Sequence, residues 1–145
     1  MKVIIDIDNT LSNANERFAL AKKEDGKIDW DIVHNPDNMI LDKPFYPMIK
    51  LAKNYKKDDF EIIILTGRPE STREVTIEWL SVYGVEYDKL YMRSWDDNFL
   101  KAYDFKKKMY ENEIKHSVFC AYDDEQSIID MWIEMGIPCF KVFVI

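Results

Sequence analysis

Asp6 and Asp8 stand one residue apart where an apolar run, Val3-Ile4-Ile5, gives way to Asp6-Ile7-Asp8-Asn9-Thr10. Two carboxylates this close repel each other unless a cation or a proton sits with them. A carboxylate with an ordinary pKa of ~3.9 is already ionised at neutral pH, so Asp6 can attack an electrophile without prior deprotonation. Asp8 can protonate the leaving alkoxide and then deprotonate the water that regenerates Asp6. Asp-x-Asp-x-Thr thus points to phosphate-ester chemistry through an aspartyl phosphate, assisted by magnesium.

That chemistry needs more parts, and the chain has candidates for each. Thr66, in Ile64-Leu65-Thr66-Gly67-Arg68-Pro69, can offer its hydroxyl and backbone N–H to a phosphoryl group. Asp123 and Asp124 are hard oxygen ligands; with Asp6 and a few waters they suit octahedral magnesium. The cation would relieve the repulsion between carboxylate and phosphate. One lysine of the run Lys106-Lys107-Lys108 can neutralise transition-state charge, the others lying on a solvated helix face.

These residues must be brought together by strands. Lys2 to Ile7 reads as a buried parallel strand, as do Phe60–Thr66, Lys89–Met92, Ser117–Tyr122 and Cys139–Ile145. Helices are expected over Ser12–Lys23, Pro47–Tyr55, Glu70–Tyr83, Phe105–Ile114 and Gln126–Met135. The stripe Val75, Trp79, Leu80 and Val82 is the apolar face of the third. Gly84 and Gly136 follow helices as C-caps. Strand–helix alternation implies a parallel sheet with helices on both faces, a three-layer α/β domain. The strand ends then share one edge, where ligands bind in such sheets. The segment Glu24–Pro47 carries several turn signals and reads as a long irregular loop over the site. Its Trp30, Phe45 and Tyr46 either stack a substrate base or pin the loop to the core. His34 reads as a loop residue rather than a base.

The chain has 145 residues, 47% hydrophobic and 14% aromatic, enough for one domain with one core. Its net charge of −7 argues against a broad, non-specific grip on nucleic acid. No run approaches the ~20 apolar residues of a membrane span, and no secretion signal opens the chain. Cys120 and Cys139 read as reduced core residues of a cytoplasmic protein.

Four motifs in this order resemble the haloacid dehalogenase-like (HAD) phosphatase superfamily: Asp6-Ile7-Asp8-Asn9-Thr10, Thr66, the lysine, and Asp123-Asp124. The resemblance covers the whole chain. It is greatest to the 3′-phosphatase domain of phage-type polynucleotide kinase-phosphatases, through Arg17, Thr66-Gly67-Arg68-Pro69, Tyr91-Met92-Arg93 and Asp123-Asp124-Glu125. It implies a Rossmann-like HAD fold with residues 12–47 as a small cap. The implied catalytic residues are Asp6, Asp8, Thr66 and Lys106, with Lys107 the alternative lysine. Arg17, Thr66, Gly67 and Arg68 would bind substrate. Asp6, Asp8, Asp123 and Asp124 would hold Mg2+. The substrate would be a phosphorylated nucleotide or a nucleic-acid 3′ end, with no obligate protein partner. The family's kinase half is missing, since no Gly-x-x-x-x-Gly-Lys-Ser/Thr loop occurs; a stand-alone phosphatase is expected.

One departure and four rival readings bear on this. Asn9 stands where glycine is common, and Asn tolerates turn geometry. A 5′-nucleotidase or general small-molecule phosphatase would use the same groups. A dehalogenase would need neither Asp8 nor a metal, a phospho-receiver domain places its acidic pair early, and a silent binder of nucleic-acid ends would have no use for every catalytic group.

Overall fold

The computed structural model describes residues 1–145. A parallel five-stranded sheet forms its centre, built from β1 (Lys2–Ile5), β4 (Glu61–Pro69), β5 (Lys89–Arg93), β6 (Val118–Asp123) and β7 (Cys139–Lys141) in the spatial order β5-β4-β1-β6-β7. The chain lays strands to one side of β1 and then to the other, so the order reverses beside β1. A crevice opens at such a reversal, at the carboxyl ends of the strands.

Alternation along β1 divides the core. Val3, Ile5 and Ile7 join Ile62 and Ile64 under α3 (Tyr46–Lys57) and α4 (Arg73–Val82). Ile4 joins Ile63 and Leu65 on the other face, under α5 (Ala102–Met109) and α6 (Gln126–Glu134), which contribute Phe105, Ile128, Met131 and Trp132. Side chains of a strand point alternately to its two faces, so a continuous apolar run here feeds two cores. This is the expected three-layer α/β architecture. Gly84 and Gly136 stop α4 and α6 at φ of +69° and +77°, a region that favours glycine.

Several boundaries differ from the sequence reading. Ser12–Asn13 is not helical: it is a short strand, β2, paired antiparallel with β3 (Lys43–Pro44), and α1 spans only Asn15–Ala21. The segment expected to be irregular contains α2 (Trp30–Val33), a 3₁₀ turn over Pro36–Leu41 and β3. The β2–β3 ribbon ties the start of this excursion to its end, helped by the Phe45 N–H donating to the Leu11 carbonyl at 2.8 Å. β7 stops at Lys141, and β4 runs on to Pro69. Val82 is 68% exposed. It lies two residues, about 200°, beyond Leu80 on the helix, whereas Thr76, Trp79 and Leu80 share the buried face.

Both cysteines are unpaired, Cys120 buried and Cys139 half-buried. No helix is long and apolar enough to cross a membrane.

Candidate active site

The three central strands each carry a polar residue of the candidate site toward the carboxyl edge: Asp6 follows β1, Thr66 lies within β4, and Asp123 ends β6. β1 is extended by the Asp6 N–H, which donates to the Tyr122 carbonyl at 3.1 Å, and a tight turn follows. The Ile7 carbonyl accepts the N–H groups of Thr10, Leu11 and Ser12, each at 3.0 Å. Asn9 makes that turn possible with φ +57°, a conformation that asparagine adopts more readily than most side chains. Its Oδ1 then accepts the Ala14 N–H at 2.9 Å. The turn that glycine often makes in the superfamily is thus made by asparagine and braced by its side chain.

Asp6 is buried, with 6% exposure. Its Oδ1 accepts Lys106 Nζ at 2.9 Å, and the same nitrogen donates to Asp123 Oδ2 at 2.6 Å. Lys106 is therefore the lysine of the site; Lys107 makes no such contact, and Lys108 pairs with Asp97. Burial works against the charge on Lys106, but Asp123 and Asp6 outweigh it and hold the ammonium well above its usual range. Burial, aided by Asp123, Asp124 and Asp8, pushes Asp6 upward against the pull of Lys106. One ammonium does not balance this many carboxylates.

That excess of negative charge is what a cation would answer. Ligating oxygens of Asp6, Asp123 and Asp124 lie within 4.8 Å of one another. Burial, and then Asp123, raise Asp124 to about 7. Three hard carboxylate donors at one sheet edge match the chemistry of magnesium. Asp123 also accepts the Glu125 N–H at 3.1 Å through Oδ1, anchoring the start of α6.

The carboxylate of Asp8, expected among the metal ligands, is not in that cluster. Its Oδ1 accepts Arg17 Nη2 at 2.6 Å, Arg68 Nη2 at 2.7 Å and Arg68 Nε at 3.0 Å. Burial alone would raise its pKa; Arg68 and Arg17 overcome this and lower it. Two guanidiniums facing one carboxylate leave its Oδ1 no reason to turn toward a cation.

Arg17 and Arg68 differ from expectation for the same reason. Their side chains are fully buried, and neither lines the cleft. Both also pair with Asp42: Arg17 through Nε at 2.9 Å and Nη2 at 2.8 Å, Arg68 through Nη2 at 2.6 Å. Two arginines and two aspartates form a closed, charge-balanced group, as buried ions require. The arginines hold Asp8 in place instead of facing a substrate phosphate. No sequence signal marks Asp42, which lies inside a segment whose turn residues predict an irregular loop. It follows the turn Pro36–Leu41 and precedes β3, and only the β2–β3 pairing brings it under the site.

Thr66 is 1% exposed on β4 and lines the cleft with Gly67. Its Oγ1 accepts the Arg68 N–H at 3.2 Å, which leaves the hydroxyl proton free to donate. The arginine that does line the cleft is Arg93, at the end of β5. Nη1 donates to the Leu100 carbonyl at 2.8 Å, and the guanidinium lies over the Phe105 ring at 5.5 Å. Its Nε is the one buried side-chain polar atom in the chain that has no hydrogen-bond partner. Burial lowers its pKa, with only the more distant Asp97 and Glu125 opposing. Gly67 permits this placement, since a Cβ there would come within 3.2 Å of Arg93 Nη2. In the sequence Tyr91-Met92-Arg93 carries only a family likeness and no signal of a role.

The cleft over these groups has a volume of about 990 Å³. Asp6, Asp8, Thr66, Lys106, Asp123 and Asp124 all line it. Of the loop aromatics, Trp30 lines the cleft, Phe45 packs on the core and Tyr46 is exposed. His34 also lines the cleft and lies against Trp30, its ring tilted by 36° with centroids 5.5 Å apart.

Carboxylates at the ends of adjacent parallel strands, a threonine, and a lysine joining two of the carboxylates define a HAD-superfamily phosphatase, a phosphoric monoester hydrolase. The comparisons agree. A family model for the polynucleotide kinase PNKP phosphatase domain matches residues 1–144, and the chain belongs to that family. Among solved structures, it is similar to a chain of a Pnkp1/Rnl/Hen1 RNA repair complex, with 31% identity and a TM-score of 0.80 over 97% of this chain and 42% of that one. A second Pnkp1/Rnl/Hen1 complex gives 29% identity and a TM-score of 0.77 over 97% and 45%. The chain spans less than half the length of these two relatives. A predicted phosphatase from Clostridium acetobutylicum shares the fold, with 14% identity and a TM-score of 0.74 over 97% of this chain and 83% of that one.

Proposed function

We propose that the protein is a magnesium-dependent phosphomonoesterase that removes the phosphate of a nucleotide or of a polynucleotide 3′ end through an aspartyl phosphate on Asp6. The observation that carries this reading is Lys106, bonded at once to Asp6 and Asp123 beside Asp124. The nucleotide part rests on membership of the PNKP phosphatase-domain family and on the likeness to chains of RNA repair complexes. The acidic chain favours a short nucleic-acid end over an extended duplex.

Asp6 attacks phosphorus, a carboxylate–phosphorus bond forms, and the bond to the ester oxygen breaks. Asp8, kept ionised in the free site by its two arginines, takes up the proton of the bound phosphate monoanion and passes it to the departing alkoxide. Asp8 then takes a proton from water, which attacks the phosphorus of the aspartyl phosphate and frees Asp6 and inorganic phosphate. Asp6, Asp123 and Asp124 would hold magnesium, whose contribution when bound is to neutralise charge between carboxylate and phosphate. Thr66 and Arg93 hold phosphoryl oxygens, and Lys106 balances developing charge. Arg17, Arg68 and Asp42 position Asp8. Residues 12–47 form a cap on one side of the cleft.

The test is a panel of phosphate esters assayed with magnesium, with EDTA, and with Asp6→Asn. Hydrolysis should require magnesium and vanish in the variant. A 3′-phosphorylated oligonucleotide should be turned over faster than a 5′-mononucleotide. Equal activity of wild type and Asp6→Asn would overturn the mechanism.

A further inference from the structure

Two exposed tryptophans flank a cleft whose chemistry, as proposed above, involves a phosphate. Trp30 is 56% exposed and Trp95 is 86% exposed, and both line the cleft that contains Asp6 and Thr66. They come from different parts of the fold. Trp30 opens α2 in the excursion between β1 and α3, whereas Trp95 sits on a short turn after β5.

The Trp30 ring is packed by its neighbours, and Trp95 rides on a closed turn. Trp30 meets Phe18 edge-on at 6.2 Å and His34 at 5.5 Å. The turn bearing Trp95 is closed by the Asp97 N–H donating to the Ser94 carbonyl at 3.1 Å and by Ser94 Oγ donating to Asp97 Oδ2 at 2.9 Å. Lys108 pins Asp97 from α5. Indoles that stay in water beside a polar cleft mark a place for an apolar ring.

The cleft is also larger than a phosphate needs. A volume of about 990 Å³ lies at the upper end of the range of pockets that take whole small molecules. Its floor is acidic and the chain carries −7, so the organic part of an anionic substrate gains little from charge there. Stacking supplies affinity that does not depend on charge, and every nucleobase has a face to offer.

We infer that Trp30 and Trp95 form a base-stacking subsite, which holds the nucleobase next to the phosphate being removed. This rests on the reading of the site as a nucleotide phosphatase and adds the feature that selects the leaving alcohol. The ligand class is a nucleobase attached to the phosphorylated sugar, with little preference among bases.

A pair of substrates isolates the subsite: a 3′-phosphorylated dinucleotide, and the same molecule with its terminal base removed. In wild type, kcat/KM should be about tenfold or more higher with the base present. Trp30→Ala and Trp95→Ala should each bring that ratio toward one, and Trp30→Phe should retain most of it. A wild-type ratio near one overturns the inference, as do variants that weaken both substrates equally. p-Nitrophenyl phosphate separates the two levels of failure. If wild type hydrolyses this ester and both dinucleotides alike, the subsite alone is wrong. If it hydrolyses none of them with magnesium, the phosphatase reading fails and the subsite with it.

Discussion

Arg68 grips Asp8 through two nitrogens on one oxygen: Nε at 3.0 Å and Nη2 at 2.7 Å both reach Oδ1. Arg17 Nη2 reaches the same atom at 2.6 Å. The carboxylate is fixed by one oxygen, and the other is left for a proton. Acid–base help of this kind is worth ~10²–10⁴ in rate. Asp8→Asn should therefore lower kcat/KM, which reports transfer to Asp6, by that order for esters of alkyl alcohols, and by much less for p-nitrophenyl phosphate, whose leaving group needs no proton. Arg68→Lys should act in the same direction but less, because lysine cannot reproduce the two-nitrogen grip. Plotting log kcat/KM against leaving-group pKa checks both; a slope unchanged from wild type would remove Asp8 from proton transfer to the leaving group.

Lys106 gives a stability prediction as well as a catalytic one. Removing it leaves Asp6 and Asp123 buried with no countercharge, and breaking a buried ion pair from one side costs about 3–5 kcal/mol. Lys106→Met should lose about that much stability in urea unfolding with EDTA present. Magnesium should return part of it, since the cation binds the folded carboxylates and stabilises that state by mass action. A variant whose midpoint ignores magnesium would argue against the metal site at Asp6, Asp123 and Asp124.

Arg93 carries a buried Nε without a partner, so it is the guanidinium with capacity left for substrate. A hydrogen bond to a charged group contributes about 1.5–3 kcal/mol. Arg93→Ala should accordingly raise KM, and weaken inhibition by inorganic phosphate, by about 10- to 100-fold. Gly67→Ala should produce a milder version of the same defect, because its Cβ would press on Arg93 Nη2 at 3.2 Å. Phosphate inhibition constants for the two variants, taken beside wild type, decide the point.

His34 sets a dependence of stability on pH. Burial lowers its pKa, with Asp8 pulling the other way. The folded chain thus binds this proton less readily than the unfolded chain, whose histidine titrates near ~6.5. Stability from neutral His34 is complete above that value and is lost as pH falls from there toward the lower folded pKa. Urea unfolding at pH 8 and pH 5.5 should show wild type losing more stability than His34→Gln. Equal losses would mean that His34 makes no contribution.

Much of the site was legible because its residues sit at strand ends. Asp6, Thr66 and Asp123 follow apolar runs, and parallel strands deliver their carboxyl ends to one edge. The lysine was narrowed to a run, and Lys106 was favoured on resemblance. Its contact with Asp6 spans 100 positions, so only the docking of α5 on the sheet could show it. The segment between β1 and α3 was the least legible. Its strands are two residues each, too short to leave any periodicity, and its helices are brief. Asp42 carries no signal within it, and Trp30 stands out only as an aromatic whose two roles the sequence cannot separate.

The sequence by itself determined the class of fold and the edge at which chemistry occurs, because hydrophobic alternation and strand–helix order are local properties. The first motif also suggested separate roles for Asp6 and Asp8, attack and proton transfer. Only the tertiary structure decided what each cation serves. Arg17, Arg68 and Arg93 carry the same charge, but two are closed into a group with Asp8 and Asp42, and the third faces the cleft with a nitrogen to spare. Burial and partners distinguish them, and both are set by contacts between segments far apart in the chain.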